Sequence, residues 1–405
     1  MDQYENIAKY NIAETCCASI SVEQLQELSE NKTGSILDLP RKLTYGAIRG
    51  SDALRSNLAR LYSAKGGAPL LADDILITPG AIAANHLLFY SLVGPGDHVI
   101  CHYPTYQQLY SVPKSLGAEV DLWEARPEKN WIPDIEELEG LIKPNTKLIV
   151  IKYVPPLSNS THILTPPPSN PNNPTGQVLR RSLLQSIVDL AAAHDITILS
   201  DEVYRPIFHS ITPMDADFPP SILSLNYKRT VAVGSLSKAY SLAGIRVGWL
   251  ASRDPAVIEA CAQARHYTTV SVSQLDEQVA AFALAPATIH ALLARNIQLA
   301  RANLDLLERF VGRHEEECEW VRPVAGTTAF VKFRRGGKPV DDVELCKRLI
   351  EKTGVMFVPG SQCFGEEWRG YVRIGFVCET EVLKDGLKEV QAYLKKEFDE
   401  LPLAE

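Results

Sequence analysis

The chemistry-bearing residue with the least ordinary surroundings is Lys238, in the stretch SLSKAYSLAGIRVGW from Ser235 to Trp249. Its neighbours are serine, alanine and glycine, with no acid beside it, and the apolar run RTVAVGSL precedes it. A lysine whose stem lies in an apolar wall has its amine pKa lowered, and that makes the amine a nucleophile. The ordinary alternative is a buried stem whose ammonium reaches solvent. A Schiff-base lysine needs an electron-sink cofactor, a phosphate site and a group that keeps the cofactor ring protonated.

Each requirement has a candidate. Asp201 ends the apolar run ITILSD; it is placed either to cap the next helix or to stay ionised against a ring nitrogen and hold the ring cationic. Tyr204, three residues on, and Asn173, in NPNNPTG, are candidates for a ring oxygen, although NPNNPTG also reads as a double Asn-Pro turn. In TPGAIAAN, a glycine turn at Gly80 opens a helix, which presents free N–H groups at the positive end of the helix dipole, where phosphate binds. Ser235 and Arg246 flank Lys238 and supply a hydroxyl and a guanidinium fork for the same anion. Tyr106, in HYPTYQQLY, either stacks on the ring or packs in the core.

These residues need elements to position them. From about Asp73 to Ser252 short apolar runs alternate with helical segments, which predicts an α/β fold with a mostly parallel sheet and helices on both faces. Ligands on such sheets lie beyond the carboxyl ends of the strands, and Gly80, Ala81, Tyr106, Asn173, Asp201, Tyr204, Ser235 and Lys238 all fall there. After Ala251 the pattern changes to long Ala- and Leu-rich helices broken at Pro286, then a hairpin (TTAFVKFRRGGKPV), a helix, the strands VMFVPG and YVRIGFV, and a terminal helix. The expected division is an N-terminal arm over 1–45 joining the small domain, a large domain over 46–275, and a smaller α+β domain over 276–405. No G-x-G-x-x-G follows a strand, which sets a dinucleotide-binding dehydrogenase aside.

In this order and spacing, SNPNNPTG, SDEVYR and SLSKAYSLAGIRVGW resemble the pyridoxal-phosphate-dependent aminotransferases of fold type I, class I/II. The resemblance runs from YGAIRGSDALRSNLARLY to YVRIGF, and PGDHVICHYPTYQQLYSVPKSLGAEV is similar to a subgroup that includes capreomycidine synthase. It implies an aspartate-aminotransferase-like fold and pyridoxal 5'-phosphate as cofactor. It implies that Lys238 forms the Schiff base and moves the substrate proton, that Asp201 pairs with the pyridine nitrogen, and that Asn173 and Tyr204 bind the ring oxygen. It further implies that Ala81, Ile82, Ser235 and Arg246 hold the phosphate, that Arg373 in YVRIGF grips the substrate α-carboxylate with Asn173 nearby, and that Tyr45 reaches the partner's phosphate in a homodimer with shared sites. The reaction it favours is transfer of an amino group between an α-amino acid and a 2-oxo acid. The alternative is a cyclase, lyase or β/γ-replacement enzyme on the same scaffold. For the substrate side chain, Arg49, Arg265 and His266 are candidates only.

One segment fits none of this. Residues 152–169 hold KYVPPLSNSTHILTPPPS, a proline-rich stretch with no helical or strand period, between the strand TKLIVI and the loop NPNNPTG, where relatives run almost directly from one to the other. One reading is a surface flap. The other is a translated intron. Lys152-Tyr153-Val154 is encodable as AAG-TAT-GTN, containing the splice-donor sequence GTATGT; His162 to Thr165 is encodable with the branch-point-like CTAAC; Pro168-Ser169 is encodable as CCC-AGY with a CAG acceptor. Excision removes 51 bases, or 17 codons, keeps the frame, and leaves an asparagine codon, so that the chain reads LIVI-N-NPNNPTG. On the intron reading the segment is expected to be poorly ordered and to carry no catalytic residue, and Asn159, although in an N-S-T sequon, to be unglycosylated.

Composition narrows the partners. The 405 residues are 45% hydrophobic and 22% charged, with a net charge of −8, which disfavours a nucleic-acid backbone. The N-terminus MDQYENIAKYNIAETCC has no apolar core of signal-peptide length, and no window reads as a membrane span. Eight cysteines without a C-x-x-C pair suggest mostly buried thiols in a reducing, cytoplasmic setting.

Overall fold

The computed structural model describes residues 4–32, 34–63, 69–152, 171–212, 214–215 and 218–404. Its centre is a seven-stranded sheet of β1 (Ile75–Thr78), β2 (His98–Tyr103), β3 (Glu119–Glu124), β4 (Thr146–Ile151), β5 (Thr197–Asp201), β6 (Thr230–Ser235) and β7 (Gly248–Ser252). The spatial order is β1-β7-β6-β5-β4-β2-β3. All neighbours are parallel except β7, which runs antiparallel to both β6 and β1. The sequence pattern did not separate β7 from the loop before it, because Gly248 opens it and only five residues form it.

Both faces of the sheet are covered, which is why its strands read as continuous apolar runs rather than alternating ones. Side chains nevertheless alternate between two cores. Leu148, Val150, Leu199, Val231 and Val233 pack with helix α1 (Ala81–Leu92) on one face. Ile149, Ile151, Ile198 and Ala232 pack with α2 (Arg181–Ala193) on the other. The edge strand β3 is the exception, with both glutamates at its ends exposed, as an unpaired edge requires.

A second, five-stranded sheet contains β8 (Cys318–Trp320), β9 (Thr328–Arg335), β10 (Lys338–Pro339), β11 (Val358–Pro359) and β12 (Tyr371–Gly375), all antiparallel to their neighbours. The helices α3 (Gln274–Ala283), α4 (Pro286–Arg313), α5 (Asp342–Thr353) and α6 (Thr380–Glu397) complete this half, with Pro286 opening α4. VMFVPG, expected as one strand, is two short ones: Val355–Met356 and β11, separated at Phe357. Val355–Met356 pairs in parallel with Tyr10–Asn11, so the N-terminal segment is tied to this half of the molecule. No single helix among the described residues is long and apolar enough to cross a membrane; α3 and α4 pass that test only as a pair bent by 76°. The expectations for the proline-rich segment beyond Lys152 lie outside the described residues.

Candidate active site

The carboxyl ends of β4, β5 and β6, the start of α1 and the N-terminal segment enclose a cavity of about 810 Å³. Lys238, Asp201, Tyr204, Asn173, Tyr106, Ala81, Ile82, Ser235, Arg246 and Arg373 all line it. Gly80 does not line it but is the N-cap immediately behind Ala81.

Lys238 follows β6 by three residues, and its backbone carbonyl accepts from the N–H of Cys17 at 3.0 Å. Its half-buried side chain donates from Nζ to Thr15 Oγ1 at 2.7 Å and approaches Cys16 Sγ at 3.5 Å. The expected depression of its amine pKa is not observed. Burial lowers it, but Tyr204, Cys16 and Glu14 together outweigh burial and the opposing Arg373, and the amine is raised. Local sequence showed the apolar wall but not the phenol, thiol and carboxylate that the fold brings to face it. Thr15, Cys16 and Glu14 carry no motif, and only the return of the N-terminal segment past Lys238 makes them site residues.

Asp201 is the last residue of β5 and is buried. Its Oδ1 accepts from the N–H of Val203 at 3.2 Å, and its Oδ2 accepts from Lys152 Nζ at 2.8 Å. Lys152 was not among the site residues expected from sequence. It follows β4 directly, is 3% exposed, and its ammonium lies 5.0 Å from the centroid of the buried Tyr204 ring and 5.8 Å from that of Tyr106.

At the other end of the cavity, α1 begins without a side-chain cap, leaving its first N–H groups available for an anion. Gly80 has φ +85°, and a Cβ there would come 2.8 Å from Arg246 Nη2, so the glycine is what lets the guanidinium lie across the helix start. Gly248 serves the same junction from β7, where a Cβ would meet the backbone of Gly80 and Ala81 at 2.4 and 2.5 Å. Ser235 Oγ accepts from the N–H of Ser237, and Ser237 Oγ accepts from Arg246 Nη1 at 3.4 Å. Ser237 is thus a further hydroxyl that the sequence reading passed over.

Arg373 rises from β12 and is buried, with its pKa lowered chiefly by burial, against the raising influence of Tyr204, Cys363, Glu14 and Cys16. Its Nη1 donates to Asn173 Oδ1 at 3.1 Å and its Nη2 to the carbonyl of Ala13 at 2.8 Å. Its Nε is buried without a partner among the described residues, a donor turned to no protein acceptor. The three residues named as side-chain candidates lie outside the cavity. Arg49 pairs with Glu259, Arg265 is fully buried and donates to the carbonyl of Ile77, and His266 is exposed. Tyr45 also lies outside and is 84% exposed.

A lysine among raising neighbours, a carboxylate at a strand end, an uncapped helix start beside a guanidinium and an orphan arginine donor form one constellation, and the comparisons agree on its class. The family model for aminotransferase class I and II matches residues 20–390, and the chain belongs to that family. It is 31% identical over 320 residues to capreomycidine synthase of Streptomyces vinaceus, covering 79% of this chain and 74% of that one. It is 29% identical over 356 residues to aspartate aminotransferase of Thermotoga maritima, covering 87% and 84%. A solved structure of a pyridoxal-phosphate-dependent aminotransferase from Streptococcus suis superposes with a TM-score of 0.84 at 38% identity, covering 98% of this chain and 96% of that one. The cofactor of this fold is pyridoxal 5'-phosphate. The helix start, Arg246, Lys238 and the ring-oxygen candidates fit it; the carboxylate for the ring nitrogen does not, because Lys152 already holds it.

Proposed function

We propose that this enzyme transfers an amino group between an α-amino acid and a 2-oxo acid, with Lys238, Asp201 and Tyr204 as its catalytic residues. The observation that supports this most is the convergence of Lys238, Asp201, Asn173 and Arg373 on one cavity with the uncapped start of α1. When bound, the cofactor supplies a carbonyl carbon for an amine and an electron-poor ring that takes up carbanion charge.

This chain's residues do the rest. The N–H groups of Ala81 and Ile82, with Gly80 behind them, and the side chains of Ser235 and Arg246 hold the phosphate. Asn173 and Tyr204 hold the ring oxygen, and Tyr106 covers the ring face. Arg373 receives the substrate carboxylate, while Asn173 and the Ala13 carbonyl fix its guanidinium in place. That pairing aims the Cα–H bond at Lys238, whose amine takes the proton once it has itself given one up. The raised pKa of the resting amine means that it stands charged at neutral pH, so a proton must leave it before it can act as base.

The carboxylate of Glu14 bears on both Lys238 and Arg373, and Glu379 lines the same cavity. Arg246 and Arg373 are the arginines there among the described residues. With Arg246 assigned to the phosphate and Arg373 to the α-carboxylate, no further arginine lines the described cavity for a second substrate carboxylate, although Lys9 does line it; on that ground a donor with a neutral or cationic side chain is preferred over a dicarboxylate. A panel of amino donors with pyruvate or 2-oxoglutarate tests both points: a 2-oxo acid product from arginine, lysine or ornithine, with aspartate poor, is expected. Aspartate as the best donor would contradict the side-chain assignment. The cyclase or lyase reading is favoured by the 31% identity to capreomycidine synthase, and a cyclised product, or ammonia released without amination of the added 2-oxo acid acceptor, would establish it.

The assembly proposed is a homodimer in which Tyr45 completes the partner's phosphate site. Its support is the exposure of Tyr45 together with Leu39, Leu43, Ile48 and Tyr267, apolar surface that a second copy would cover. An intracellular location is supported by eight free thiols, among them the buried Cys17, Cys101 and Cys261.

A further inference from the structure

We propose that Lys152 occupies the seat of the cofactor's ring nitrogen, and that the cofactor-competent chain lacks it, residues 152–169 being replaced by a single asparagine. The inference rests on the cofactor assignment above. Its first support is a charge count. Asp201 carries one negative charge, is buried, and already accepts from an N–H on Oδ1 and from the Lys152 ammonium on Oδ2. A protonated ring nitrogen would bring a second cation to the same carboxylate. Two cations against one carboxylate in a site this dry cannot both keep their charge, so the ring must displace the ammonium or bind without its counter-charge.

Position makes the conflict steric as well. The ammonium lies near both Tyr106 and Tyr204, the two side chains assigned to the ring's face and its oxygen. The backbone holds it there. The carbonyl of Lys152 accepts from Asn172 Nδ2, which also donates to the carbonyl of Pro104 at 3.2 Å, and β4 ends one residue earlier at Ile151. The main chain at Lys152 is therefore fixed, and its ammonium can leave Asp201 only by a rotamer change that gives up a buried ion pair.

The second support comes from sequence and is independent of the geometry. Lys152 is the residue whose codon would be split by the donor site in the intron reading; removal of 17 codons turns it and Ser169 into one asparagine. The Asn172–Lys152 hydrogen bond adds that the two flanks of the segment lie within bonding reach, so a short connection needs no rebuilding of either side. The residue that excision deletes is the one that blocks the carboxylate. Excision would leave Asp201 free for the ring nitrogen and keep every other cavity residue.

The test is equilibrium binding of pyridoxal phosphate, read by dialysis and by cofactor absorbance without any turnover. It compares the full chain, the full chain carrying Lys152→Met, and the chain in which 152–169 are replaced by one asparagine. The full chain is expected to bind at least about tenfold more weakly than the other two, since it alone loses a charge-assisted hydrogen bond to Asp201. Lys152→Met keeps the stem and the segment, so the comparison survives a failure of the shortened chain to fold. Equal affinity of the full chain and Lys152→Met would overturn the blocking role. Sequencing the mature transcript checks the excision: loss of the 51 bases supports it, and their retention overturns it. Absence of binding by all three forms would overturn the cofactor assignment itself, an outcome distinct from equal tight binding.

Discussion

Lys238→Ala removes the amine proposed to hold the cofactor and move the proton, and turnover should fall by about 10³-fold or more, measured with saturating cofactor and the best donor. Arg373→Ala should leave kcat comparatively unchanged and raise the donor KM about tenfold to a hundredfold, the range expected for a lost charge-assisted pair. An unchanged KM for every donor would take Arg373 out of the site. Asp201→Asn is informative only where Lys152 is not left as an unpaired buried cation, so it belongs in the Lys152→Met background. There the fold should persist and the rate should fall by about 100-fold. Most of these residues were legible because each sits at a recognisable break where an apolar strand gives way to a turn or helix. Thr15, Cys16 and Glu14 were not, because they sit in a segment without motif or period, and their effect on Lys238 depends on long-range return of the chain. Lys152 looked like the first residue of an unrelated insert rather than the partner of Asp201.

At the scale of elements, the turn from β1 into α1 is where the phosphate assignment is most exposed to test. Gly80 has φ +85°, and any Cβ at that position would stand only 2.8 Å from Arg246 Nη2. Gly80→Val should therefore displace the guanidinium and strain the turn, weakening cofactor binding by about tenfold while far-ultraviolet circular dichroism stays unchanged. Wild-type affinity in this variant would mean that the start of α1 does not bind the phosphate. The strands were readable as apolar runs because both faces of the sheet are buried, and the long helices because Pro286 marks the break between α3 and α4. β7 and β8 escaped because they are short, β7 opening on glycine and β8 having three residues. What composes the second sheet was visible; its strand order was not, since register there depends on antiparallel partners far apart in the chain.

For the whole molecule, two buried histidines set an acid limit on stability. His102, behind the cavity on β2, and His209 are both lowered to about 3, chiefly by burial. Their folded pKa values lie below the unfolded one, so the unfolded chain binds more protons in acid. Their contribution is complete above pH 6.5 and is lost progressively as pH falls from there toward 3. Each should cost on the order of 1–2 kcal/mol at pH 5, seen as a lower urea midpoint than at pH 7.5. Identical midpoints at the two pH values would contradict their burial as neutral rings. The proposed dimer is checked separately, by sedimentation of the protein and by the loss of cofactor affinity expected for Tyr45→Phe.

Lys238 is proposed as the lysine to which the cofactor attaches. The direct measurement is to incubate the full chain with excess pyridoxal phosphate, reduce with borohydride, digest, and map the pyridoxyl mass by tandem mass spectrometry. The label is expected on Lys238, with a higher yield when Lys152→Met frees Asp201. A label on another lysine such as Lys152, or no stable label in either chain, would contradict this assignment.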